Sequence, residues 1–124
     1  MGMYTELKLD IELDKNLDNN LVRWFNDCNM FKEDNCSKYC PKELLDTRMN
    51  DLCGGSAYFE EEPYNFFNKI ENENYSLKLC INIKNYKSEI QTFLDIIDKY
   101  VIKEKSSGHI WYEEYDFEDR EILF

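Results

Sequence analysis

Tyr75-Ser76-Leu77-Lys78-Leu79-Cys80-Ile81-Asn82-Ile83 is the stretch on which the fold turns. From Leu77 to Ile83 every odd position is apolar, and the even positions are polar except Cys80. A period of two marks a strand with one face buried. Past Lys84-Asn85-Tyr86 the period changes. Ile90, Phe93, Leu94, Ile97 and Val101 recur at helical spacing, which predicts an amphipathic helix lying on the sheet. Ser88 with Gln91 three positions on is a capping-box pattern for its start. Gly108 is expected to break the chain, and His109 to Tyr115 to return as an aromatic-rich strand. Tyr75 to Tyr115 therefore reads as strand, helix, strand.

The front of the chain repeats this plan. Tyr4 to Asp14 alternates, with Leu7, Leu9, Ile11 and Leu13 on one face and Glu6, Lys8, Asp10, Glu12 and Asp14 on the other. This is a half-buried strand, and it is expected to tie the N-terminus into the sheet. Asp18 or Asn19 can cap a helix that carries Leu21, Trp24, Phe25 and Cys28 on one side. Ser56 to Glu60 is expected to form a short strand, closed by Glu61, Glu62 and Pro63 because proline seldom sits inside a paired strand. Tyr64 to Phe67 reads as a brief turn or an aromatic plug, and Glu71 to Asn74 as a polar loop. The order matches a split βαβ plan. The expected fold is a single α+β domain over residues 1–124, a ferredoxin-like two-layer sandwich. Its antiparallel sheet carries two helices on one face and an extra C-terminal edge strand. Glu6, Lys8 and Asp10 should then lie on the open face.

Between about 28 and 55 the periodicity weakens, and four of the five cysteines fall there or at its start: Cys28, Cys36, Cys40 and Cys53. Four thiolates can hold zinc, and they would be the ligands if zinc were present. Only Cys36 and Cys40 are closely spaced, however, whereas most structural sites use two tight pairs. Reduced, partly buried thiols without metal are the expectation, and no cofactor is expected. Cys80 is read as a small buried hydrophobe. Pro41 to Asp46 is read as a short helix with Leu44 and Leu45 packed inward. Gly54-Gly55 reads as a turn, since no Lys-Ser or Lys-Thr pair follows to make a phosphate loop.

Charge narrows the functional classes. With 26 acidic against 15 basic residues the formal charge is −11, which disfavours direct contact with nucleic-acid phosphate and favours a basic protein surface as partner. No apolar run is long enough to span a bilayer, so a soluble cytoplasmic protein with no membrane partner is expected. Six carboxylates crowd between Glu113 and Glu121, just after Trp111 and Tyr112. A turn near Phe117 to Asp119 would return Ile122 to Phe124 as an edge strand. The candidate protein-binding residues are Trp111, Tyr112, Glu113, Glu114, Asp116, Glu118, Asp119 and Glu121. The same acids can also serve simply as a solvated edge that resists aggregation. No catalytic residues are assigned. His109 is the one histidine, read as a surface or strand-edge residue, and the sequence has no cluster of basic residues to grip a phosphate.

A resemblance rests on particular residues. The opening Met1-Gly2-Met3-Tyr4-Thr5-Glu6-Leu7 resembles the start of a group of small phage- and prophage-encoded proteins. The resemblance continues through Tyr58-Phe59, Asn85-Tyr86, Glu89-Ile90, Phe93, Gly108 and Tyr112-Glu113-Glu114. It does not cover the segment from Cys28 to Cys53 and brings no catalytic residues. It implies a phage accessory protein located in the host cytoplasm. Its expected role is to bind and inhibit a host defence protein, CRISPR effectors included, by docking or by nucleic-acid mimicry. A small enzyme acting on a nucleotide signal, and a phage assembly protein forming a homo-oligomer, are the alternatives.

Overall fold

The structure, a computed structural model, describes residues 4–29, 38–53 and 62–124. Among the described residues five strands form one antiparallel sheet: β1 (Thr5–Leu13), β2 (Tyr64–Lys69), β3 (Tyr75–Ile83), β4 (Ser107–Tyr112) and β5 (Glu121–Leu123). Their order across the sheet is β2-β3-β1-β4-β5. Helices α1 (Asn19–Cys28) and α2 (Glu89–Ile97) follow β1 and β3. The result is the expected two-layer α+β sandwich, consistent with a ferredoxin-like fold, with β5 added beside β4.

The two alternating stretches become neighbours at the centre. Leu7 faces Ile81, Leu9 faces Leu79 and Ile11 faces Leu77, so their apolar sides make one continuous floor. Trp24 and Phe25 of α1 and Phe93 of α2 press onto it and are fully buried. Phe25 lies 5.1 Å from Phe67 and 6.2 Å from Phe93 between ring centroids, so a single aromatic cluster joins both helices to β2.

Several expectations change on contact with the structure. Tyr64 to Phe67, read as a turn or plug, belongs to β2. The predicted strand at Ser56 to Glu60 and the Gly54-Gly55 turn lie outside the described residues. Gly108 does not break the chain but sits inside β4 opposite Leu9. A Cβ there would come within 2.7 Å of the Lys8 carbonyl oxygen, so only glycine fits. Helix α2 stops at Ile97, and Val101 instead bridges to Leu13. Pro41 precedes a single tight turn, Lys42–Leu44, in which Leu44 is buried but Leu45 is 49% exposed.

The two helix starts differ. Asp18 caps α1, accepting from the Asn20 N–H at 3.1 Å. Ser88 makes no capping bond and adopts φ 54°. Asn85 replaces it: Oδ1 accepts from the Ile90 N–H and Nδ2 donates to Gln91. The buried Glu89 carboxylate accepts from the N–H groups of Lys87 and Arg48, which ties the loop before α2 to the segment after α1.

The outer edge of β2 is blocked. The Asn29 side-chain amide bonds both the N–H and the C=O of Phe67, mimicking a further strand. Edges left unpaired invite association, and β5 forms the other margin of the sheet.

Candidate functional site: the second face of the sheet and its C-terminal hairpin

Opposite the core, β1 presents Glu6, Lys8 and Asp10, as alternation requires. Trp111 and His109 of β4 stand beside Glu6 and Lys8, and Ile122 of β5 stands beside His109. This face is not open along its whole length. Glu6 is only 3% exposed. Its Oε2 lies 2.6 Å from His109 Nε2, and its Oε1 accepts from the Cys80 thiol at 3.6 Å. His109 is therefore no surface residue, and Cys80 packs on the polar side of the sheet. With the carboxylate accepting, Nε2 holds the ring proton. The Glu6–His109 contact, with the Cys80 thiol beside it, anchors the covered end of this face. Asn82, across from Glu6, is buried with neither side-chain amide atom hydrogen-bonded.

The C-terminal hairpin folds over the end of this face. After β4 the chain turns through Glu113 to Asp116, makes a tight turn at Phe117–Asp119, and returns as β5. Phe117 is gripped from three sides. His109 stands edge-on at 5.9 Å, Trp111 edge-on at 5.2 Å, and the Arg120 guanidinium lies 3.8 Å above the ring. Arg120 is held in turn by its bond to the Phe117 carbonyl. The buried Glu6–His109 pair thus fixes a ring that is itself 47% exposed.

The eight residues singled out from sequence do not share one role. Glu114, Asp116, Glu118, Asp119 and Glu121 are exposed along the hairpin. Glu113 is committed elsewhere, because its carboxylate accepts from the Tyr4 N–H at 2.7 Å and clamps the start of β1. Trp111 and Tyr112 are half-buried, and Trp111 donates its indole N–H to the Tyr115 carbonyl. Partial desolvation, then Glu114 and Glu113, push the Tyr112 phenol above its ordinary value. Sequence reasoning missed the exposed apolar side chains within and just after the acidic run: Tyr115 at 59%, Phe117, Ile122 at 63% and Phe124 at 42%. The available signal was aromatic and aliphatic residues alternating with carboxylates. That pattern also fits a strand with a buried side.

The cysteines gather without forming a recognisable site. Cys28, Cys40 and Cys53 are outside any disulfide. Burial first, then Asp51 and Cys40, push the Cys28 thiol up to about 12. Burial and Asp51 push Cys40 up to about 11. Among the described residues no group of three or more His, Cys, Asp or Glu side chains is arranged to hold a metal ion, and Cys36 lies outside those residues. Nor, among them, is any helix long and apolar enough to cross a membrane.

Comparison with protein-family models, curated proteins and solved structures finds no match to the chain.

Proposed function

We propose that this chain is a non-enzymatic binding protein that docks its C-terminal hairpin onto a basic protein surface and blocks it. The observation that carries the reading is the make-up of that hairpin. Four exposed apolar side chains, Tyr115, Phe117, Ile122 and Phe124, stand among five exposed carboxylates. Grouped apolar exposure of this kind is the signature of a contact surface, and a charged surround suits a partner of opposite sign.

The two chemistries divide the work. A net charge of −11 speeds encounter with a basic partner, an effect that weakens as salt screens it. The apolar side chains then set the lifetime of the complex by leaving water. Phe117 is the best anchor because its ring is already held before binding, so little conformational freedom is lost on docking. The phage resemblance makes a host protein the class of partner. A nucleic-acid-binding defence effector is the candidate whose basic groove the hairpin carboxylates would occupy in place of phosphates.

Affinity capture from the natural host at low and high salt tests this. The expected result is one stoichiometric basic protein, released as salt rises and lost when Glu114, Asp116 and Glu118 are reversed to Lys. Retention of the same protein by the charge-reversed hairpin would sink the reading.

A further inference from the structure

Folding assembles the basic cluster that the linear sequence lacks. Between α1, the segment leading into the Lys42–Leu44 turn, and the turn that follows α2 lies a cavity of about 470 Å3, within the range of small-molecule sites. Lys38 and Lys42, from the segment that runs into the tight turn, and Lys99, from the turn after α2, line it. In a protein with 26 acidic and 15 basic residues, lysines are expected to find carboxylates. Lys103 and Lys105 do so, with Asp98 and Glu12. Lys38, Lys42 and Lys99 form no ion pair among the described residues. Two of them lie against tyrosine rings instead: Lys38 Nζ is 5.3 Å from the Tyr39 centroid and Lys99 Nζ 5.1 Å from that of Tyr100. The one acid on the rim, Asp18, is engaged as the cap of α1.

We infer that this cavity binds a mononucleotide-sized organic phosphate carrying a flat ring. Three ammonium groups without carboxylate partners supply charge-assisted donors for phosphate oxygens. Tyr39 and Tyr100, with the buried Leu21 and the half-buried Ile96, supply an apolar, ring-lined wall for the remainder of the ligand. An inorganic anion would use the lysines alone and leave that wall wet. A neutral nucleoside would leave the lysines unmatched. The inference does not depend on the docking reading, because none of these residues belongs to the hairpin.

Calorimetric titration of the full chain tests it, with adenosine monophosphate as probe and adenosine and inorganic phosphate as controls. The monophosphate is expected to bind at least about tenfold more tightly than either control. Lys42→Glu with Lys99→Glu should weaken it by about tenfold or more while leaving the melting temperature and capture of the hairpin's partner unchanged. Tyr100→Leu should weaken the monophosphate but not inorganic phosphate. Absence of binding at about ten millimolar ligand would overturn the inference. Equal affinity for inorganic phosphate, or undiminished binding by the charge-reversed variant, would overturn it as well.

Discussion

Glu6 and His109 illustrate what a single residue position conceals. Alternation places Glu6 on the polar side of β1, and it is there, yet it is buried against partners 74 and 103 positions away. Periodicity reports which face a side chain occupies, and only the fold reports what covers that face. Removing one member of a buried pair strands the other, so His109→Ala should lower stability by about 3 kcal/mol in urea titration. Asn82 gives the opposite sign. Its side-chain amide is buried and unsatisfied, so Asn82→Leu should raise stability by about 1 kcal/mol in the same assay. The Cys28 thiol predicts a pH effect. Its ordinary value is 9.0, and the folded protein holds it at about 12. Between those values the folded state keeps a proton that the unfolded state has lost, so stability is full below 9.0 and falls as pH rises toward 12. Thermal melting across that window, compared with Cys28→Ala, checks it. Cys40, also raised, leaves part of the slope in place; a slope undiminished by the substitution would contradict the assignment.

At the scale of elements, long and strictly alternating or helical runs were readable and short mixed ones were not. β1 and β3 each bury an uninterrupted series of Leu and Ile, and their predicted limits match the strands closely. β2 escaped notice because its inward positions are Asn65 and Phe67 while the large Phe66 points outward. A polar residue at a core position and an aromatic one at a solvent position erase the pattern. Asn65 tolerates burial because it donates to the Cys28 carbonyl, a partner the sequence cannot reveal. Gly108 reads as a breaker in sequence for the ordinary reason that glycine often ends a strand. Here its missing side chain lets β4 close on β1. Gly108→Ala would push a methyl against backbone at Lys8, and a loss of about 1–3 kcal/mol is expected. Amide exchange should locate that loss in the β1–β4 pairing. Uniform loss of protection across the sheet would show that the glycine matters for some other reason.

For the whole molecule, the charge balance and the acidic run are legible in the sequence. The division of labour within that run is not. Glu113 looks like its neighbours in sequence, but it clamps β1, while Tyr115, Phe117, Ile122 and Phe124 stand exposed along the same hairpin. In the proposed docking of the hairpin, charge governs encounter and Phe117 governs residence. The most direct measurement is the dissociation rate of the captured partner from the native chain and from Phe117→Ala, each at low and high salt. Dissociation is expected to be about thirtyfold faster for Phe117→Ala at both salt concentrations, the effect of losing a central anchor. Salt should act mainly on association. An unchanged dissociation rate for Phe117→Ala would contradict the claim.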